Sequence, residues 1–201
     1  MKEPIFGDFP RAEYEERYRR TQKKLVDAGI DALFLTNRPN LRYFAGLRDG
    51  AWDCHFYFFT LLPAEGTPVM LVAHGFQHLV KQSWIEDVRY WNWSRRFYTD
   101  TESHAVPLVL DTVDELGLSD ATIGFELSAH MQPNVGQEHF RSLTDRLSNA
   151  RIVDASDLVW SLRSIKSPAE IDRLREAARI STEGVKAGFE AMRPGVMEKD
   201  V

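Results

Sequence analysis

The chain has 201 residues, 43% hydrophobic and 27% charged, an ordinary balance for a globular protein with a full apolar core. A net charge of −5 argues against a general nucleic-acid binder, which needs a basic surface. The single cysteine, Cys54, excludes an internal disulfide and a zinc site built from cysteines.

The opening residues, MKEPIFGDFPRAEYEERYRR, contain acids and prolines and no apolar h-region, so they do not read as a signal peptide. A first helix is expected over 10–28. Tyr14, Tyr18, Thr21, Leu25 and Ala28 share one face at helical spacing, and Gly29 suits the left-handed residue that ends a helix. DALFLT, 31–36, is an apolar run without alternation, the pattern of a strand covered on both faces. Asn40 is placed to cap a short helix, LRYFA, which Gly46 closes.

His55–Leu62 and Val69–Ala73 read as strands joined by PAEGTP, whose proline and glycine mark a hairpin-type connection. The apolar stretch FYFFTLL within the first of them is far too short to span a bilayer, so a soluble, cytoplasmic protein is expected, with no membrane partner. A short helix over Phe76–Trp84, a strand over Val88–Trp91 and an aromatic-rich loop follow. The next helix is expected over 101–116, with Val106, Val109, Leu110, Val113 and Leu116 inward and Gly117 as its stop. Then come the strand ATIGFEL, a helix over Pro133–Leu147 and the strand RIVDA.

This alternation, with one hairpin inserted, implies an α/β fold in which a mixed β-sheet is flanked by helices. The first domain is expected to be complete at residue 155, with the short helix SDLVWSLR leading away in a linker over 156–166. From 167 a further helix begins. Ser167 is its N-cap, Pro168 its first residue, and Glu170 the reciprocal partner of a capping box. Ile171, Leu174, Ala178, Ser181, Val185, Phe189 and Met192 form a stripe that has to be covered by something. It folds back on the first domain, dimerises, or packs on polypeptide beyond residue 201; the last is expected.

GIDALFLTNRPNLRYFAG, then IGFE, then IVDASDLVWSLRSIKSPAEIDRLREAARIS occur in the order and spacing of the creatinase/prolidase/aminopeptidase P family. The chain resembles the N-terminal domain of such an enzyme plus the first helix of its catalytic domain, over essentially its whole length. That resemblance implies a ribonuclease H-like N-terminal domain over 1–155 and, from 167, the truncated start of a "pita-bread" catalytic domain. It implies a parent that hydrolyses Xaa-Pro peptides or small amides with a divalent metal pair (Mn, Zn or Co). Such a pair lowers the pKa of a bridging water and polarises the scissile carbonyl. The family's metal ligands, two Asp, one His and two Glu, fall beyond Val201. No catalytic or metal-binding residue is therefore assigned in this chain, and the fragment alone is expected to be inactive. Creatinase itself works without metal.

The resemblance further implies a homo-oligomer, with a loop of this domain reaching a neighbouring subunit's active site. The matching stretch is LRDGAWDCHF, 47–56. Arg48 can bind a carboxylate bidentately, Trp52 offers a broad apolar face with one donor, and His55 lies beside them as the third substrate-entrance candidate. Trp52 also suits the duller task of covering the sheet edge. Creatinase carries an aromatic and an arginine in this loop; here the arginine position falls on Cys54, which counts against creatine as substrate. YWNWSRRFY, 90–98, interleaves aromatics with arginines, making Trp93, Arg95 and Arg96 candidates for a subunit contact rather than for nucleic acid. His74 and His78 are four apart but lack a third ligand and read as surface or capping residues, while Cys54 reads as a structural thiol. A rival reading keeps the fold but drops the chemistry: a peptidase-like module that only binds proteins.

Overall fold

The computed structural model describes residues 5–47, 58–92 and 105–200, and places them in two compact units, Met1–Leu162 and Arg163–Val201. The first unit opens with a two-stranded antiparallel hairpin, β1 (Ile5–Phe6) and β2 (Phe9–Pro10), and then α1 (Arg11–Ala28). β3 (Ala32–Leu35), α2 (Arg38–Ala45), β4 (Phe58–Pro63) and β5 (Val69–Ala73) follow, then α3 (Gln77–Val80) and β6 (Asp87–Trp91). α4 (Ala105–Glu115), β7 (Thr122–Phe125), α5 (Gln137–Arg146), β8 (Arg151–Asp154) and α6 (Ser156–Arg163) complete it.

Six strands form one mixed sheet in the order β6-β5-β4-β3-β7-β8. β4 runs antiparallel to both neighbours, and the other pairs are parallel. Alternate residues of each strand enter opposite cores, as the pleat requires. Leu33 and Leu35 of β3, Leu62 of β4 and Met70 and Val72 of β5 join Tyr14, Tyr18 and Leu25 of α1 and Phe44 of α2. Ala32, Phe34, Phe59, Leu61 and Leu71 face the other way, toward Val106, Val109 and Val113 of α4 and Leu143 of α5. Each large apolar side chain so covered is worth about 1.5–3 kcal/mol, which is why the run at 31–36 carries no polar alternation.

Most expected elements are found, and the differences have physical reasons. Ala28 is exposed, and the buried face of α1 takes Arg17 instead. α2 starts at Arg38 with Asn37 at its N-cap, so Asn40 lies inside the helix, fully buried. α3 is shorter than expected because Ser83 and Trp84 turn their side chains back onto carbonyls of α2. α5 begins only at Gln137, the backbone N–H of Asn134 being engaged by Thr36 Oγ1. α6 does not lead away from a domain finished at residue 155: Val159 and Leu162 are buried in the first core with Ala155.

The second unit holds α7 (Pro168–Ala191) and a 3₁₀ turn over Glu198–Asp200. Both halves of the capping box form, Ser167 Oγ accepting from the Glu170 N–H and Glu170 accepting from the Ser167 N–H. Within this unit no residue of α7 is buried, and Phe189 is 68% exposed.

A Cβ added at Gly124 of β7 would lie 2.7 Å from the Ala155 Cβ, too close for two carbons, whereas one at Gly29 meets nothing within 4 Å. Gly124→Ala should therefore cost about 1–3 kcal/mol through overpacking. Gly29→Ala should cost only about 1 kcal/mol from its left-handed backbone. Urea denaturation of both variants checks the order, and equal losses would contradict it.

Candidate functional site

Strand directions bring one set of chain ends together. Pairing of Leu35 with Thr60, Phe58 with Val72, Ala73 with Trp91, Phe34 with Phe125 and Phe125 with Asp154 puts the carboxyl ends of β3, β5, β6, β7 and β8 at one edge of the sheet. The amino end of β4 lies there too. Open α/β sheets bind ligands outside this edge, at the point where strand order reverses, here β3. The described residues bordering both candidate stretches, Phe58 after 48–57 and Trp91 with Asn92 before 93–104, belong to this edge. Arg48, Trp52, His55, Trp93, Arg95 and Arg96 themselves lie outside the described residues, as do Cys54 and His104.

The centre of the edge is a buried carboxylate. Glu126, directly after β7 and 1% exposed, accepts from the backbone N–H of Thr36 (2.7 Å) and of Asn37 (2.8 Å) through Oε2. Its Oε1 accepts from Asn40 Nδ2. Thr36 Oγ1 in turn accepts from the Asn134 N–H at 2.8 Å, and Asn37 Nδ2 donates to the Gln132 carbonyl at 3.3 Å. One strand's carboxylate thus caps a helix that begins from another strand. Asn37 makes no capping bond with its own side chain.

The far end of α2 is tied as fully. A helix leaves its last four carbonyls without intrahelical donors. Here the Arg42 carbonyl takes the Gly46 N–H (3.2 Å), Tyr43 takes Arg17 Nη1 (2.8 Å), Phe44 takes Trp84 Nε1 (2.7 Å) and Ala45 takes Ser83 Oγ (2.6 Å). The Arg17 guanidinium is 2% exposed and lies against the rings of Tyr43 (4.3 Å), Phe9 (4.5 Å) and Tyr14 (5.1 Å). Asp8 receives Arg42 in a bidentate pair, Nε at 2.5 Å and Nη2 at 2.9 Å. Arg38, Leu41 and Leu47 line a hollow with Phe58 and Leu79.

Sequence reasoning did not single out Glu126 or Arg17 as individual residues. The available signals were an acid closing an apolar strand, in IGFE, and an arginine on the apolar face between Tyr14 and Tyr18. His74 meets the Gln77 amide and lies 5.6 Å from the Tyr90 ring. Among the described residues no three His, Cys, Asp or Glu side chains come together to hold a metal ion. No helix of the described residues is long and apolar enough to cross a membrane.

Two carboxyls at this edge shift in opposite directions. Burial pushes Glu126 above the usual glutamate range, although the donors from Asn40, Thr36 and Asn37 pull it partway back. Burial also raises Asp154, but bonds from the Ser156 hydroxyl and N–H and the Leu127 N–H outweigh it and leave this carboxyl below its ordinary value. Between its unfolded and native pKa values, Glu126 holds a proton that the unfolded chain has released. Its contribution to stability is full below the unfolded value and is lost as pH rises through the native one.

Glu126→Gln keeps shape and acceptor while Asn40 turns its amide over, at a cost of about 1 kcal/mol. Asn40→Asp sets two buried carboxylates against each other and should cost about 3–5 kcal/mol. The double variant restores a donor between them and should recover most of that loss. In urea titrations from about pH 4 to about pH 7, wild type should lose stability relative to Glu126→Gln. Additive losses in the double variant, or a flat pH difference, would contradict the network.

Residues 17–165 match the family described as Creatinase/Prolidase N-terminal domain. The chain is 29% identical over 199 residues to creatinase from Bacillus sp. (strain B-0618), covering 99% of this chain and 45% of that protein. It is 25% identical over 185 residues to Xaa-Pro dipeptidase from Lactobacillus helveticus, covering 90% and 46%. The structure of Xaa-Pro dipeptidase from Bacillus anthracis shares the fold with a TM-score of 0.71 at 23% identity, over 93% of this chain and 46% of that one. The chain spans about half the length of the curated relatives it matches. With a mixed sheet flanked by helices and a match across most of its residues, the chain belongs to the creatinase/prolidase N-terminal domain family.

Proposed function

We propose that residues 1–201 are the N-terminal part of a longer cytoplasmic hydrolase that cleaves Xaa-Pro peptides, and that this part is inert alone. Its tasks are to join subunits into a homodimer and to shape the substrate entrance. The observation that carries the reading is the family match to a hydrolase lineage over a chain about half as long as its relatives. The divalent metal pair and its ligands belong to polypeptide beyond residue 201, as does the partner of the α7 stripe. Arg48, Trp52 and His55 serve the entrance; Trp93, Arg95 and Arg96 serve the subunit contact. The catalytic domain starts at residue 167, a few residues after α6, whose Val159 and Leu162 pack into the first core.

A second reading, hydrolysis of a small amidine or amide, is favoured by the 29% identity to creatinase along nearly the whole chain. The family resemblance sets Cys54 at the place of a creatinase arginine, which weighs against creatine itself.

The full-length enzyme should hydrolyse an Xaa-Pro dipeptide in a chelator-sensitive way, while the 201-residue chain should not. Chelator-sensitive hydrolysis by the short chain would overturn the placement of the active site, and turnover of creatine but no dipeptide would favour the second reading. Trp52→Ala in the full-length enzyme should raise KM about 2- to 10-fold, the worth of one aromatic contact. An unchanged kcat/KM would remove Trp52 from the entrance. Replacing Trp93, Arg95 and Arg96 together by alanine should shift sedimentation from dimer toward monomer; an unchanged dimer would place the contact elsewhere.

A further inference from the structure

We infer that α2 is a positioning element for substrate, held by Glu126 at its start and by Ser83 and Trp84 at its end, an inference that rests on the reading that the carboxyl edge faces substrate. An eight-residue helix is too short to hold itself in water, and burial of Leu41, Phe44 and Ala45 against the first core would suffice to form it. The polar ties exceed that need. A buried carboxylate from β7 fixes the start, while α1 and the stretch after α3 supply donors to three successive carbonyls at the end. Buried charged groups such as Glu126 and Arg17 carry a desolvation cost that offsets much of what their bonds contribute, so they add more to the definition of a geometry than to stability.

The hairpin removes the remaining freedom. A Cβ at Gly7 would stand 2.3 Å from the Gly46 carbonyl oxygen, so two backbones meet where α2 ends, and the Asp8–Arg42 pair closes beside them. The chain therefore leaves α2 at Leu47 from a point set by contacts to the β1–β2 turn, α1 and the Ser83–Trp84 stretch. The same helix carries Arg38 and Leu41 into the hollow with Phe58. On the proposed reading the reacting groups lie outside this chain, so a displacement of α2 at the carboxyl edge alters how substrate is received rather than how it is cleaved.

The test uses the full-length enzyme with Asn40→Asp, Asn40→Asp/Glu126→Gln and Trp84→Phe, the last removing the donor to the Phe44 carbonyl and part of the ring that packs on Tyr14 and Tyr18. Steady-state rates on an Xaa-Pro dipeptide are measured well below each variant's melting temperature. Asn40→Asp and Trp84→Phe should raise KM about 3- to 30-fold with kcat unchanged, and the double variant should return KM to within about twofold of wild type. A purely structural defect removes active enzyme and lowers apparent kcat without moving KM. Unchanged KM with a lowered Tm in these variants therefore overturns the inference. Amide exchange over 38–47 in the same variants separates this inference from the functional reading, because it needs no turnover. Exchange over 38–47 raised about tenfold beyond what the lost global stability explains, as read from β3 and β7 in the same variant, supports it even if no dipeptide is cleaved. Exchange over 38–47 equal to wild type, or raised only as much as in β3 and β7, sinks it.

Discussion

The geometry of the sheet's carboxyl edge depends on one buried carboxylate. Glu126 leaves β7 and turns its two oxygens onto the start of α2, so the parallel pair β3–β7 is tied at its exit as well as along its ladder. Removing that acceptor would take away the bonds it receives from two backbone N–H groups and from the buried Asn40 amide. Such groups are expensive to leave unmade in a dry interior. The same constraint explains the late start of α5, since Thr36, drawn in by Glu126, takes the Asn134 N–H.

Much of the architecture was legible in the sequence because a sheet covered on both faces needs strands with no polar alternation. DALFLT and Val69–Ala73 carry that pattern, and both are strands with every residue buried at their cores. RIVDA showed the strand at the other edge and SDLVWSLR the helix after it, with bounds close to those observed. Local caps were equally legible: Gly29, Gly46 and Gly117 all take positive φ, and the Ser167–Glu170 box closes as read.

What the sequence hid was decided by partners far along the chain. Asn40 looked like a cap because caps are local, yet its amide serves an acid 86 positions away. The end of α3 was misplaced because Ser83 and Trp84, good enough helix residues by propensity, satisfy α2 instead. Arg17 carried no local signal beyond its place on an apolar face. SDLVWSLR reads as a linker because RIVDA looks like a last strand, and the burial of Val159 and Leu162 shows that the core continues past it. The candidate residues at 48–55 and 93–96 came from family resemblance and side-chain chemistry, and the fold contributes the common edge at which Phe58 and Asn92 border them.

The central claim is that the Glu126 carboxylate holds the β3–α2 junction as firmly as the core strands are held. Site-resolved amide hydrogen exchange at Thr36 and Asn37 tests it most directly. Both amides should open only with the unfolding of the first unit, at the free energy shown by Leu33 and Phe34 of β3. Exchange at Thr36 and Asn37 far faster than at those strand residues would show that the junction opens by itself and that Glu126 does not hold it.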